Sequence, residues 1–304
     1  MSRIEGTVMR RTGSTFAVET KDGTLECSLS GKMRYDRKMT VAPAVVGDVV
    51  EVTVGEGGTA VIESVRPRKS RLSRPDTHDG KREAVIVANA ETLLVVQAFS
   101  SPDFDAHLID RSIVMATMGE LEAAICVNKC DLPAASEVEQ AIGVYRSLGF
   151  RIVRTSARTG EGVPALRDLL AGRTTVLFGP SGVGKSSLLN ALDPELALKV
   201  GEVSARTQEG KHTTTWAERI PLAGGGYVVD TPGVEVFGFW DVAEADLVRC
   251  FPEFAERIGG CKFNDCFHDA EPGCRIREGV GSEIDSGRYQ SYLKMLRALR
   301  KGRR

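Results

Sequence analysis

The stretch Thr174-Thr175-Val176-Leu177-Phe178-Gly179-Pro180-Ser181-Gly182-Val183-Gly184-Lys185-Ser186-Ser187-Leu188-Leu189-Asn190-Ala191-Leu192 decides how the rest of the chain is read. Residues 174–178 form a β-branched, apolar run that stops at a glycine, and a helical apolar spacing starts at Lys185. Between them stands G-x-x-x-x-G-K-S, the phosphate-loop pattern in the strand-to-helix setting it requires. Glycines leave room for backbone N–H groups to wrap phosphate oxygens, and the following helix N-terminus adds its dipole. Residues Gly179, Pro180, Ser181, Gly182, Val183, Gly184, Lys185, Ser186 and Ser187 are therefore the candidate phosphate cradle. Lys185 is expected to neutralise the outer phosphates and serve catalysis, and Ser186 to ligate magnesium.

Outward from this loop, strand-like runs at 84–88, 93–98, 123–127, 152–153, 175–178 and 227–229 alternate with helical periods at 106–118, 138–148, 163–170 and 185–192. That alternation predicts an α/β domain with a largely parallel sheet. A phosphate loop does not choose a base, but Asn128-Lys129-Cys130-Asp131 does, because it follows the apolar run at 123–127 and so emerges at a strand's carboxyl end. The Asp131 carboxylate can accept from guanine N1–H and the 2-amino group, whereas adenine leaves that charge unpaired. Asn128 is expected to fix the loop and Lys129 to lie over the ring. Thr155-Ser156-Ala157 follows another strand and offers a second loop, with Ser156 and Ala157 as candidate contacts whose backbone N–H reaches the guanine oxygen. Asp230-Thr231-Pro232-Gly233 completes the set, Asp230 for the magnesium shell and the Gly233 N–H for the γ-phosphate. Residues 210–215, GKHTTT, read as part of a switch loop in which a threonine, taken as Thr214, closes the magnesium shell.

The order of these parts is unusual. In Ras-like GTPases the phosphate loop comes first and the base-specifying loop late, yet here Asn128 precedes Gly179. Circular permutation moves chain termini while leaving strand ends in place, so the same site can still assemble.

Before residue 68, alternating runs at 4–10, 15–20, 24–29, 48–54 and 59–65 predict a five-stranded barrel of the oligonucleotide-binding (OB) type, with Arg34, Arg37 and Lys38 on a basic loop. The segment RPRKSRLSR, residues 66–74, reads equally as a solvated linker or an RNA-contacting arm. Of seven cysteines, Cys27, Cys126, Cys130 and Cys250 are scattered, while Cys261, Cys266 and Cys274 surround His268. Three thiolates and an imidazole make a closed tetrahedral set, which predicts one structural zinc. The segment from Arg288 to Arg304 ends the chain with seven basic residues and no acidic one, beside an apolar stripe of Tyr292, Met295 and Leu299; it reads as a solubilising or an RNA-binding tail. The expected organisation is thus an all-β OB barrel (1–68), a permuted α/β P-loop domain (69–240) and a small helical zinc-binding domain (241–304).

Composition adds exclusions. With 304 residues, 40 Lys and Arg against 41 Asp and Glu, and a net charge of −1, whole-chain charge argues neither for nor against nucleic acid. No apolar run approaches the ~20 residues of a membrane helix, and the first residues lack a secretory signal, so a soluble, cytoplasmic chain without a membrane partner is expected.

In NKCD, GPSGVGKSS, GKHTTT, DTPG and the Cys-Cys-His-Cys cluster, all in this order, the chain resembles the circularly permuted, ribosome small-subunit-dependent GTPases of bacteria, the RsgA family. The resemblance spans nearly the whole chain. It implies an enzyme that hydrolyses GTP to GDP and phosphate, binds the small ribosomal subunit and its rRNA late in assembly, and is released on hydrolysis; a monomer is expected. It also makes His212 the candidate for positioning water, in catalysis or in the structure of the switch. Val234 stands where many GTPases place a water-orienting glutamine, so slow intrinsic turnover is expected. Two other readings stay open: an RNA-binding factor with GTP as a structural ligand, and a GTPase serving a protein or membrane partner. Subunit-stimulated turnover and steep salt dependence of binding separate them.

Overall fold

The computed structural model describes residues 2–35, 41–55, 58–76, 80, 82–133, 135–198, 217–231 and 239–302. Alternating apolar residues in β1 (Ser2–Thr12), β2 (Thr15–Thr20), β3 (Gly23–Leu29), β4 (Val49–Val54) and β5 (Ala60–Val65) turn Val8, Phe16, Val18, Cys27, Val50, Val52 and Ile62 into one core. Strand β1 pairs antiparallel with both β2 and β4, and β3 runs parallel to β5, which closes the expected barrel. A short helix, α1 (Gly31–Tyr35), follows β3 where only a loop was expected. Arg37, Lys38 and the Arg34 side chain lie outside the described residues.

The basic segment at 66–74 is neither a free linker nor a free arm. Arg68 donates to the fully buried Asp48 through Nε at 2.7 Å and Nη2 at 2.9 Å, because a carboxylate in the barrel wall needs a paired cation. Arg66 pairs with Glu51 at 2.9 Å and Arg71 with Glu83 at 2.8 Å. Residues Arg71–Pro75 form β6, which pairs antiparallel with β7 (Glu83–Ala88) in a separate two-stranded sheet. The apolar run at 84–88 therefore does not enter the parallel sheet, contrary to the sequence reading.

The α/β unit follows as β8 (Thr92–Ala98), α2 (Ala106–Met118), β9 (Glu122–Asn128), α3 (Ser136–Ser147), β10 (Arg151–Arg154), α4 (Val163–Leu170), β11 (Thr174–Phe178), α5 (Lys185–Leu192), β12 (Glu218–Pro221) and β13 (Tyr227–Asp230). Its strand order is β10-β9-β8-β11-β13-β12; the first five strands are parallel and β12 is antiparallel. Leu94, Val96 and Leu177 face α4 and α5 on one side, while Val95, Ile125, Ile109 and Tyr145 pack with α2 and α3 on the other. Burial on both faces explains why these strands read as continuous apolar runs. Strand β12 was not foreseen, and through the pair Arg10↔Glu218 it joins β1, so that barrel and α/β strands make one eleven-stranded sheet.

The carboxyl-terminal unit contains α6 (Glu244–Arg249), α7 (Arg275–Glu278) and α8 (Ser286–Gly302). Phe251 and Phe254 stack at 5.1 Å, Tyr292 meets both edge-on, and Val114 of α2 joins the same core. Tyr292 and Met295 are buried as the apolar stripe predicts. Several of the tail's basic residues are consumed within the chain: Arg288 binds Asp110 and Glu253, Arg297 reaches Asp269 at 3.5 Å, and Arg300 reaches Glu244 at 2.8 Å. Among the described residues no helix is long and apolar enough to cross a membrane.

Candidate functional site

Strands β8, β9 and β10 are laid down in one direction across the sheet, and α4 then returns the chain to β11 on the other side of β8. The reversal leaves a crevice at the carboxyl ends of β8 and β11, the place where open α/β sheets bind ligands. The loop after β11 fills it. Gly179 stands so close to β8 that a Cβ would lie 2.2 Å from the Val96 carbonyl oxygen. Gly184, at φ +95°, caps α5 and would place a Cβ 2.4 Å from Asn128 Nδ2. Neither position admits another residue without moving backbone or a buried amide. Lys185 Nζ folds back over the loop and donates to the carbonyls of Gly179 at 2.7 Å and Pro180 at 2.9 Å. Ser186 is buried at the start of α5.

Asn128, 1% exposed at the end of β9, holds this loop against two others. Its Nδ2 donates to the Val183 carbonyl at 2.8 Å, and its Oδ1 accepts from the Thr155 hydroxyl and the Ala157 N–H, both at 3.2 Å. The loops at 128–131, 155–157 and 179–186 are thereby one assembly, with one amide satisfied by all of them. Asp131 Oδ1 accepts from the Ser156 hydroxyl at 2.6 Å, and Oδ2 accepts from Arg158. The Ser156 hydrogen bond, supported by the guanidinium, outweighs burial and holds the Asp131 carboxyl below its ordinary range, so it stays an anion. Lys129, at φ +62°, donates through Nζ to the Ser101 carbonyl.

At the far side, Asp230 ends β13 in register with Leu177 of β11. A hydroxyl from Ser186 and a carboxylate from Asp230 are hard oxygen donors of the kind magnesium prefers. Gly233, Thr214 and His212 lie outside the described residues. Three residues at the site carry no motif of their own. Ser101 and Pro102, in the loop after β8, receive Lys129 and approach Gly182; their place after a strand at the chain reversal was the available signal. Arg158 directly follows Ala157, and only its contact with Asp131 reveals it.

Cys261, Cys266, His268 and Cys274 converge with their donor atoms within 4.8 Å of one another. His268 Nδ1 lies 3.5 Å from Cys261 Sγ and 3.4 Å from Cys274 Sγ. Tetrahedral zinc sets nitrogen and sulfur donors about 3.5 Å apart, and sulfurs about 3.8 Å apart, so this donor set fits that ion with no position left for substrate. The surrounding backbone is pinned to α8: Tyr289 Oη donates to the His268 carbonyl at 2.7 Å and Tyr292 Oη to that of Phe267 at 2.8 Å. Glu271 accepts from the N–H groups of Phe267, Asp269 and Ala270 at 2.9–3.0 Å. The cluster is thus a structural feature that fixes α8 and its neighbours.

Residues 65–240 match the RsgA GTPase family and residues 5–62 the RsgA N-terminal domain. A Bacteroides fragilis protein named small ribosomal subunit biogenesis GTPase RsgA is 37% identical over 99% of this chain and 98% of its own. One of the same name from Caldanaerobacter subterraneus subsp. tengcongensis is 39% identical over 99% of this chain and 97% of its own. Among solved structures, YjeQ from Thermotoga maritima is similar with a TM-score of 0.77 at 34% identity, covering 98% of this chain and 99% of that one. YloQ, titled a circularly permuted GTPase, gives a TM-score of 0.75 at 26% identity, covering 100% and 96%.

Proposed function

Since the chain belongs to the RsgA GTPase family and is a GTP hydrolase, we propose that it acts in the cytoplasm, as a monomer, on the small ribosomal subunit late in assembly, bound to rRNA in the GTP state and released on hydrolysis. The observation that carries the guanine-nucleotide part is the Asn128 amide, which holds the loop bearing Asp131 against the phosphate loop at Val183. The names of full-length relatives support the subunit as partner. In this reading residues 1–68 and 241–304 are the rRNA- and subunit-facing modules, and 69–240 is the hydrolytic one.

Asn128, Lys129, Asp131, Ser156 and Ala157 take guanine, while residues 179–187, Asp230 and Gly233 take the phosphates. Ser186, Thr214 and Asp230 would hold magnesium, which supplies positive charge at the β- and γ-phosphates. Lys185, already positioned over the loop by two carbonyls, exchanges those acceptors for phosphate oxygens and draws off the charge that builds on the β–γ bridging oxygen. Water attacks the γ-phosphorus, the bond to that bridging oxygen breaks, and GDP and phosphate leave. With Val234 unable to hydrogen-bond water, His212 is the side chain we assign to orienting it, once the subunit has set the switch loop.

GTP turnover at fixed salt, measured with and without purified small subunits, tests this reading, with large subunits and free rRNA as controls. A large increase restricted to small subunits is expected. A slow rate that small subunits leave unchanged would refute the partner assignment while leaving the guanine site standing.

A further inference from the structure

Both oxygens of the Asp131 carboxylate are engaged by the chain itself. Ser156 donates to Oδ1 at 2.6 Å, and Arg158 donates from Nε to Oδ2 at 2.9 Å, with Nη2 of the same guanidinium lying 2.8 Å from that oxygen as an ion pair. A carboxylate offers about two acceptor directions per oxygen; the Arg158 guanidinium, with Nε at 2.9 Å and Nη2 at 2.8 Å, covers Oδ2, while Ser156 leaves a direction on Oδ1. Guanine presents two parallel donors, N1–H and the 2-amino group, and needs a direction on each oxygen. One is open and the other is closed until the guanidinium lets go. Exposure says which partner can yield: the Arg158 side chain is 76% exposed and that of Asp131 only 11%. The turn behind Arg158 is held by its own bonds, Gly160 N–H to the Ser156 carbonyl and Ser156 N–H to that of Glu161, both at 2.9 Å, so the arm can swing without moving Ser156.

We propose that Arg158 is a built-in competitor for the base-reading carboxylate, occupying the place of guanine when no nucleotide is bound and displaced when one arrives. The inference rests on the reading of Asp131 as guanine selector. Two consequences follow. The competitor weakens guanine binding and recaptures the carboxylate as GDP leaves, so release is eased from within the chain. It also lowers discrimination, since a base that ignores Asp131 binds without leaving that charge unpaired. Arg158 is in this sense a residue that sets specificity through Asp131.

The test uses the full chain, fluorescent GDP and xanthosine diphosphate, and the variants Arg158→Ala, Asp131→Asn and both together. Loss of the arginine's charge acts on the phosphates equally in both backgrounds, whereas competition operates only against the Asp131 carboxylate. The effect of Arg158→Ala on GDP affinity, divided by its effect on xanthosine diphosphate affinity in the Asp131→Asn background, should favour tighter binding by about two- to fivefold, the range of an exposed ion pair. GDP dissociation should slow accordingly. A ratio of one or less overturns the competitor. Asp131→Asn that fails to shift preference from guanine to xanthine refutes the selector reading itself, whatever Arg158 does.

Discussion

Asn128→Ala tests whether the three loops are one assembly. The amide is 1% exposed and serves the Val183 carbonyl, the Thr155 hydroxyl and the Ala157 N–H. Removing it orphans these groups unequally. Thr155 keeps a contact to Cys126 Sγ at 3.3 Å, and the half-buried Ala157 backbone can find water, so the Val183 carbonyl suffers most. A buried polar group left unpaired costs about 1–3 kcal/mol, and with partial rescue of the other two we expect about 2 kcal/mol in all, equivalent to about thirtyfold in Kd where the nucleotide must restore the loop arrangement. Isothermal titration with GDP measures this, and a parallel thermal melt separates lost affinity from lost stability. Asn128→Asp sharpens the argument, because it keeps an acceptor for Thr155 and Ala157 but sets an anion against the Val183 carbonyl. It should bind GDP no better than the alanine variant. If Asn128→Ala binds GDP within threefold of the unaltered chain, or if Asn128→Asp restores affinity, the clasp does not organise the site.

Three further outcomes are expected. Gly184→Ala drives a Cβ to 2.4 Å from Asn128 Nδ2 at φ +95°, so GDP affinity should fall at least as far as for Asn128→Ala, and retained affinity in a titration would contradict the close approach. Arg288→Met leaves Asp110 and Glu253, whose side chains are 2% and 4% exposed, buried beside no cation; urea unfolding should show a loss of about 3–5 kcal/mol, largely recovered when Asp110→Asn and Glu253→Gln are added. Elemental analysis should find about one zinc per chain, and Cys274→Ser should lower that content and loosen α8 to proteolysis while GDP binding persists.

The residues that could be read from sequence are those whose chemistry is set by a few neighbours. The loop at 179–186 needs its own glycines, NKCD needs only the strand before it, and the three cysteines and one histidine that converge lie within one short segment, so spacing pointed to each group. The misreadings share the opposite property. Arg288 looks like part of a basic tail, yet its acceptors are 178 residues away at Asp110 and 35 away at Glu253. Arg158 acts on Asp131, 27 residues earlier, and nothing between them marks the pair. Strands β6 and β12 are short and polar, RLSRP and ERIP, and they extend because β7, β13 and β1 offer ladder partners, not because of their own propensity. Local pattern therefore located the groups that the fold brings together, while tertiary pairing decided what the charged segments do.

The same tertiary pairing ties the barrel to the site. Strand β13 ends at Asp230 and is held between β11, which leads into the phosphate loop, and β12, which pairs with β1. Arg219 of β12 lies 3.4 Å over the Tyr227 ring of β13, and Tyr227 Oη donates to Glu19 of β2 at 3.0 Å. Burial lowers the Arg219 pKa, but a guanidinium begins far above neutrality, so it remains a cation against that ring and carboxylate. A shift of β13 along its axis would break the ladder to β12, the stack on Tyr227 and the bond to the barrel together. Sliding is therefore opposed at three points, and a movement that keeps these contacts must carry β12 and the barrel with the strand. Permutation makes this possible: with the strands that lead to Asn128 and Thr155 placed first, the chain leaves the barrel through the β6–β7 pair into β8 and returns to it through β12, so the barrel rests on the strand pair that ends at Asp230.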